Sequence, residues 1–341
     1  MVAVRRGPVD GTIGGGTRSG SGLSLKRWAP RPVARMSPAM GNPRLARLLA
    51  AAKAADWPAM RDELSAVSDD GERGWLIANA TEVAGYEQWM PKAVADEPES
   101  GLALLVAGAR QVVWAWEART GLRAKHVSRE QFQIFHERLG VAEDLLYRAA
   151  ELEPGWASPW YFLQMSARGL QLGQDISRLR FEAATRRFPE HLGAHQQQLQ
   201  QVCAKWGGSH DEMHAFARAS ALNAPEGSAL GVLVAVAHLE HWLDLDHGAT
   251  DSPYMRSGRV VAELHEAADR SYRHAAYGEP VSRLGTLNTF ALAFVLAGEK
   301  KAAAAAFTAT GGLVTEFPWQ YLDGDVPVSP YRTMRFRAGR P

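Results

Sequence analysis

The sequence of 341 residues predicts an all-α protein in which antiparallel helix pairs stack as an α-solenoid or a compact superhelix. From residue 44 onward, apolar residues recur every three or four positions, which is the spacing of one helix face. No stretch shows the strict alternation of apolar and polar residues that is typical of a half-buried strand. With 46% hydrophobic and 22% charged residues, the chain also has the composition of a folded protein with a substantial core.

The helix boundaries follow from capping residues and from apolar spacing. Ser128 to Gln131 and Ser209 to Glu212 have the pattern of capping boxes, in which a serine and a Gln or Glu three residues later bind the free amides of a new helix. Two short apolar patterns, over residues 45–52 and 60–67, indicate the first helical segments. Longer patterns predict helices over residues 100–119, 129–151, 157–172, 175–188, 190–205, 210–222, 226–245, 257–276, 281–297 and 299–313.

Prolines at the predicted helix exits indicate a repeat. They are Pro98, Pro154, Pro189, Pro225, Pro280 and Pro318. Three of the gaps are 35, 36 and 38 residues, close to the period of about 34 residues of tetratricopeptide helix pairs. Residues 287–307 resemble one such unit, with the run L-N-T-F-A-L-A-F-V-L-A-G-E-K-K-A-A-A-A-A-F. The alternative is an ordinary helical bundle whose prolines are evenly spaced by chance.

The segment at Lys205–Arg218 has the sequence K-W-G-G-S-H-D-E-M-H-A-F-A-R. It resembles the hallmark segment of an uncharacterised bacterial family of tetratricopeptide-like helical-repeat proteins, a family built on a domain of unknown function. The resemblance extends over about residues 130–245. It implies a tetratricopeptide-like fold and assigns no reaction. The residues of this segment that we expect to have a structural role are Trp206, Gly207, Gly208, Ser209 and Glu212.

Three regions are predicted along the chain. Residues 1–43 are basic and rich in Gly, Ser and Pro, so we expect them to be disordered; an alternative is that translation begins at Met36 or Met40. A basic N-terminal tail for nucleic acid or membrane is the functional alternative for this segment. Residues 44–317 form the predicted helical-repeat domain. Residues 318–341 show no helical period and are expected to form an extended tail that docks through Trp319 and then frays.

Composition excludes several classes of protein. The single cysteine, Cys203, excludes a disulfide framework and a cysteine-based zinc or iron–sulfur site. No apolar run reaches the roughly 18 residues that span a bilayer, and no secretory signal is present. The formal net charge of +1 argues against a nucleic-acid partner. These observations predict a cytoplasmic protein without membrane contact and without a cofactor.

The histidines provide one catalytic hypothesis. All eleven lie between His126 and His274, and His210 and His214 are spaced so that both can reach one zinc ion from the same helix face. A third ligand would come from the next helix, where His241 is the first candidate and His238, Glu240 and His247 are the others. The pattern imitates H-E-x-x-H with aspartate in place of glutamate. A metal-dependent hydrolase is therefore the alternative function, and a capped surface helix without metal is the simpler interpretation.

The leading hypothesis is a non-enzymatic scaffold that binds a protein or peptide on its concave face. In stacked helix pairs, the first helices line that face. Polar side chains there could bind the backbone or the carboxylates of an extended segment, or could only be solvated. The candidate partner-binding residues are Gln164, Arg168, Gln197 and Gln201. The apolar spacing around His195 and Cys203 instead predicts that these two side chains are buried and structural.

Overall fold

In the computed structural model, which describes residues 32–119 and 128–339, most of the chain is α-helical. The described residues from Val33 onward form one compact unit. Its helices are α1 (Pro43–Lys53), α2 (Trp57–Ser65), α3 (Asp70–Ala80), α4 (Tyr86–Asp96), α5 (Gly101–Arg119), α6 (Arg129–Leu152), α7 (Ser158–Gly169), α8 (Gly173–Arg187), α9 (Leu192–Gln201), α10 (His210–Asn223), α11 (Val232–Asp246), α12 (Gly258–Arg270), α13 (Arg283–Leu296), α14 (Lys300–Ala309) and α15 (Val328–Ala338). Two short strands, β1 (Arg35–Met36) and β2 (Leu313–Val314), pair in parallel.

Capping chemistry fixes the start of several helices. At α6 the predicted capping box is confirmed, because the Ser128 hydroxyl accepts from the Gln131 amide and the Gln131 side chain accepts from the Ser128 amide. At α10 only half of the box forms. The Ser209 hydroxyl accepts from the Glu212 amide at 3.1 Å, but the Ser209 amide donates to the Val202 carbonyl. The preceding turn therefore satisfies the amide that Glu212 was expected to bind.

Helices that follow one another in the chain pack as neighbours. The pairs include α1 with α2, α5 with α6, α7 with α8, α10 with α11, and α13 with α14. Alternate helices also touch, such as α5 with α7, α7 with α9, and α11 with α13. The prediction of a mainly helical protein with consecutive helix pairs is confirmed. Contacts of α3 with α7 and α9 are more distant in sequence and bring the start of the chain against its middle.

The apolar side chains collect in two large cores. The N-terminal core contains buried side chains of α1 to α7, among them Tyr86 and Phe162. The C-terminal core contains buried side chains of α9 to α15, among them Trp242 and Trp319. A small group of three alanines lies apart from both. Two cores within one compact unit leave room for a cleft where their surfaces face each other.

The described part of the predicted disordered segment is ordered. The Arg35 amide donates to the Gly312 carbonyl at 2.9 Å, and β1 continues this contact by pairing with β2. Ala34 is buried in the C-terminal core. The expectation of disorder is therefore wrong for residues 34–43, since backbone pairing with a distant segment compensates for their low apolar content. The rest of that prediction, for residues 1–31, lies outside the described residues.

The predicted extended tail is also corrected. Trp319 docks as expected and is fully buried, but the chain then forms the helix α15. Tyr331, Met334 and Ala338 of α15 are buried, and their spacing of three and four residues gives the helix one apolar face. The arginines between them concealed this pattern in the sequence. The prediction of fraying at Arg340 and beyond lies outside the described residues.

Candidate functional site

Four histidines of α10 and α11 face one another. His210 and His214 of α10 lie against His238 and His241 of α11, and we call these four residues the histidine cluster. His214 Nε2 is 3.0 Å from His241 Nδ1. The spacing of four residues on α10 and three on α11 places each pair on one helix face, which is why neighbouring helices bring the pairs together.

The predicted ligand set of His210, His214 and His241 does not meet at one point. The His210 and His241 rings are stacked, with centroids 3.9 Å apart and planes 7° from parallel. A metal ion lies close to the plane of each imidazole that binds it, and two stacked rings share no such position. His210 Nε2 is instead 3.0 Å from Asp244 Oδ2. The structure thus separates His210 from the rest of the predicted site.

His238, an alternative third ligand in the sequence analysis, does lie beside His214. One potential ligand atom from each of His214, His238 and Glu263 lies within 4.8 Å of the other two. His238 Nε2 is 3.0 Å from Glu263 Oε2, and His238 Nδ1 is 2.8 Å from the Tyr254 hydroxyl. The same hydroxyl is 3.2 Å from His214 Nε2. Glu263 of α12 and Tyr254, on the loop before α12, were not predicted.

The other two predicted candidates lie elsewhere. Glu240 is buried and accepts hydrogen bonds from Lys205 at 2.8 Å and from the Tyr321 hydroxyl at 2.5 Å. This contact joins α11 to the segment after β2. His247 ends α11 with a left-handed backbone conformation. Both residues therefore have structural roles.

Burial and neighbouring charges set the protonation of the cluster. Burial, followed by the nearby His238 and His241, lowers the pKa of His214 to about 3. Burial and the nearby His210 lower the pKa of His241 to about 4. The hydrogen bond from His238 lowers the pKa of Glu263 to about 2, although its partial burial acts in the opposite direction. At neutral pH, His214 and His241 are therefore uncharged imidazoles and Glu263 is a carboxylate, which are the forms that bind divalent metal ions.

The predicted partner-binding residues lie where α7 and α9 pack together, and two of the four are buried. Gln164 and Gln201 are only 1% and 7% exposed. Arg168 donates to the Gln197 side-chain oxygen at 2.6 Å, so these two residues bind each other. The expectation of an accessible side chain is therefore wrong for Gln164 and Gln201, whereas Arg168 and Gln197 are half-buried.

The turn before α10, for which the sequence analysis predicted a structural role, is closely packed. The Trp206 ring packs edge-on against Trp116 of α5, with centroids 6.3 Å apart. Gly207 has a positive φ of 94°. At Gly208, an added Cβ would be 2.1 Å from the Val202 carbonyl oxygen, so no other residue fits without backbone movement. Ser209 then caps α10.

The interpretation of His195 and Cys203 as structural residues is confirmed. His195 is buried, with Nε2 at 2.9 Å from the Pro189 carbonyl and Nδ1 at 3.1 Å from the Ser220 hydroxyl. Burial raises the pKa of the Cys203 thiol to about 12, which keeps it protonated and unreactive.

A cleft of about 860 Å³ lies between the two cores. Its lining comes from α3 with its flanking residues, from the start of α9, and from residues 227–232 and 277–289, together with a few single residues such as Phe317. The residues that line the cleft include five carboxylates, Asp69, Glu72, Glu82, Glu190 and Glu279. It also carries five aromatic side chains, Trp75, Tyr161, Phe188, Tyr277 and Phe317. Among the described residues that line the cleft there is no lysine and no arginine.

Part of this negative charge is not neutralised. Arg44 pairs with Glu72 at 3.0 Å, and Arg283 pairs with Glu279 at 3.2 Å. Glu82 and Glu190 form no ion pair within residues 32–119 and 128–339. Desolvation, followed by the like charges of Glu316 and Glu117, raises the pKa of Glu82 to about 7, although the residue keeps contact with solvent. The arginines beside the cleft therefore do not compensate for all of its carboxylates.

His191 lies beside the cleft and has a buried ring nitrogen without a hydrogen-bond partner. Its Nδ1 accepts from the Ala194 amide at 3.1 Å and caps α9, which leaves the proton on Nε2. The side chain is 1% exposed, and Nε2 has no hydrogen-bond partner. Burial lowers the pKa of His191 to about 4, so the ring is a neutral donor near pH 7.

Comparisons with known proteins give no identification. No protein-family model matches the chain, and no curated protein matches it. The family resemblance at Lys205–Arg218 therefore stays a prediction. In the described ranges, no helix is both long and apolar enough to pass through a bilayer.

Proposed function

We propose that the protein is a non-enzymatic binding protein whose cleft accepts a basic segment of a partner protein or peptide. The observation that carries the proposal is the charge of the cleft. Five carboxylates line it, and the described lining residues include no lysine or arginine. Like charges that line one cleft repel one another, and a cationic ligand relieves that repulsion.

The aromatic side chains of the cleft support a ligand that carries lysine or arginine. Ammonium and guanidinium groups are attracted to the faces of Trp, Tyr and Phe, and such contacts contribute about 0.5–2 kcal/mol. A volume of about 860 Å³ is also within the usual range for ligand pockets and admits several side chains of an extended segment. Carboxylates beside aromatic rings therefore favour a basic segment over an acidic or purely apolar one.

Degenerate tetratricopeptide-like repeats are the architecture that we propose for this function. Two observations support it: the packing of consecutive and alternate helices, and the regular spacing of the exit prolines. Tetratricopeptide arrays commonly bind peptides on their surfaces. The proposed binding surface is the cleft between the two cores, and not the polar strip of Gln164, Arg168, Gln197 and Gln201.

Replacing Glu82 and Glu190, two of the cleft carboxylates that form no ion pair among the described residues, tests the proposal. We expect the double variant Glu82→Gln with Glu190→Gln to bind a short arginine-rich peptide about tenfold more weakly, since two charge contacts are lost. Fluorescence anisotropy of a labelled peptide measures this loss. The matched control is Glu151→Gln, an exposed carboxylate on α6 outside the cleft, which we expect to leave binding unchanged. The same peptide with citrulline at each arginine should bind poorly. Equal binding of the arginine and citrulline peptides would contradict the proposal.

Peptide binding is expected to tighten as the pH rises from about 6 to 8. The pKa of Glu82 is raised to about 7, so its carboxyl group is largely neutral at the lower pH and charged at the higher pH. Binding of a cationic ligand favours the charged form of the Glu82 carboxyl group, so the protein releases a proton on binding near neutral pH. Calorimetry in buffers of different ionisation enthalpy measures that proton. Glu82→Gln should flatten the pH dependence, and an affinity that falls with rising pH would argue against the role of Glu82.

A further inference from the structure

The histidine cluster suggests a second site, separate from the cleft. His214 of α10, His238 of α11 and Glu263 of α12 come from three consecutive helices, and none of them lines the cleft. We propose that these three residues bind a zinc ion. This inference does not depend on the proposed peptide binding.

The distances among the three residues are close to those of a zinc site. One ligand atom of each lies within 4.8 Å of the others, and the His214 and His238 ring centroids are 4.7 Å apart. Ligand atoms of a tetrahedral zinc ion are about 3.4 Å from one another, as bonds of about 2.0–2.1 Å require. Small side-chain rotations of two rings and one carboxylate close this difference.

The chemistry of the set also fits zinc. Two imidazoles and one carboxylate are the ligands of many zinc sites with an open fourth position. His214 is 8% exposed and His238 is 2% exposed, which leaves the ligands little competing contact with water.

The surroundings hold the ligands in place. Arg259 donates to Glu263 Oε1 at 2.9 Å, which leaves Oε2 directed at His238. Arg218 lies farther from Oε2, at 3.7 Å. The Tyr254 hydroxyl contacts both rings, at 3.2 Å from His214 and 2.8 Å from His238. Such outer contacts orient metal ligands and raise affinity.

Zinc titration of the full chain tests the site. Protein prepared without a histidine tag is treated with a chelator, dialysed and titrated with zinc sulfate by calorimetry. We expect one zinc ion per chain, binding more than about 100-fold weaker in His238→Ala, and about tenfold weaker or more in Glu263→Gln. Cobalt(II) in place of zinc should give the visible absorption of a four-coordinate ion, and His238→Ala should abolish it.

Two control variants test whether zinc binds at this site, and not at other histidines or at the predicted set of His210, His214 and His241. His265→Ala removes a partly exposed histidine of α12 that pairs with Glu299, and it should retain full zinc affinity. His210→Ala removes the stacked ring and should also retain it, whereas loss of binding in His210→Ala would overturn the proposed ligand set. Zinc binding that survives in both His238→Ala and Glu263→Gln would overturn it as well.

The wild-type protein decides the question even where a variant does not fold. X-ray absorption of the zinc-loaded chain counts the imidazole ligands. Two imidazoles with oxygen ligands support the site of His214, His238 and Glu263. Any other number of imidazoles overturns it, and so does a wild-type chain that binds no zinc after chelator treatment.

Discussion

Gly208→Ala is expected to destabilise the protein by about 3 kcal/mol. An added Cβ would be 2.1 Å from the Val202 carbonyl oxygen and 2.4 Å from its carbon, so the backbone must move. That carbonyl also accepts the Ser209 amide at the start of α10, and the movement would break this hydrogen bond. Urea unfolding followed by circular dichroism measures the change in the free energy of unfolding.

The neighbouring glycine is the matched control. Gly207 has a φ of 94°, and an added Cβ would meet no atom within 4 Å. Gly207→Ala therefore introduces backbone strain alone, with an expected cost of about 1 kcal/mol. If Gly207→Ala and Gly208→Ala lower the free energy of unfolding equally, the close approach to Val202 relaxes without cost, contrary to our expectation.

Trp319→Ala is the second substitution with a large expected effect, a loss of about 3–5 kcal/mol in the free energy of unfolding. Trp319 is fully buried and lies against Phe307 and Tyr331, with ring centroids 5.8 Å and 5.2 Å away. Its indole nitrogen donates to the Asn288 side-chain oxygen at 2.7 Å, which would lose this partner. Urea unfolding measures the loss, and limited proteolysis should show earlier cleavage near α15.

Phe336→Ala is the control for Trp319→Ala. Phe336 belongs to α15 and is 81% exposed, so its removal should change the free energy of unfolding by less than about 0.5 kcal/mol. A loss in Trp319→Ala that is no larger than the loss in Phe336→Ala would mean that the segment after β2 does not contribute to the C-terminal core.

Strong local signals made much of the helical structure predictable. Helix α6 was predicted over residues 129–151 and occupies Arg129–Leu152, because its capping box and its apolar face agree. Helix α10 was placed equally closely, since it was predicted over residues 210–222 and occupies His210–Asn223. Helices α3 and α4 were missed. Gly71 and Gly74 weaken the helical pattern of α3, and Pro91 lies inside α4, so packing against other helices must offset these residues.

The candidate site was only half predictable, since its parts come from separate segments. The spacing of His210 and His214 indicated a shared face, and His238 was among the candidate ligands. Glu263 gave no such signal, because Arg259 and Glu263 at a spacing of four residues are typical of a surface ion pair. No sequence pattern indicated that Gln164 and Gln201 are buried, since polar residues on helices are usually exposed.

The cleft could not be predicted from any local pattern. Glu82, Glu190 and Glu279 are about a hundred residues apart in the chain and line one cleft only after both cores have formed. Each is unremarkable as a single glutamate near a helix end. Their common environment depends on the contacts of α3 with α7 and α9, which are long-range contacts that helix periodicity does not encode.

The pairing of β1 with β2 has a consequence for synthesis on the ribosome. β1 is made early, and its partner follows about 280 residues later. At about 5–20 residues per second, β1 waits unpaired for roughly 15–55 seconds. Helices α1 to α7 can bury their own core during this time. The C-terminal core, which includes Ala34, closes only when nearly the whole chain has been translated.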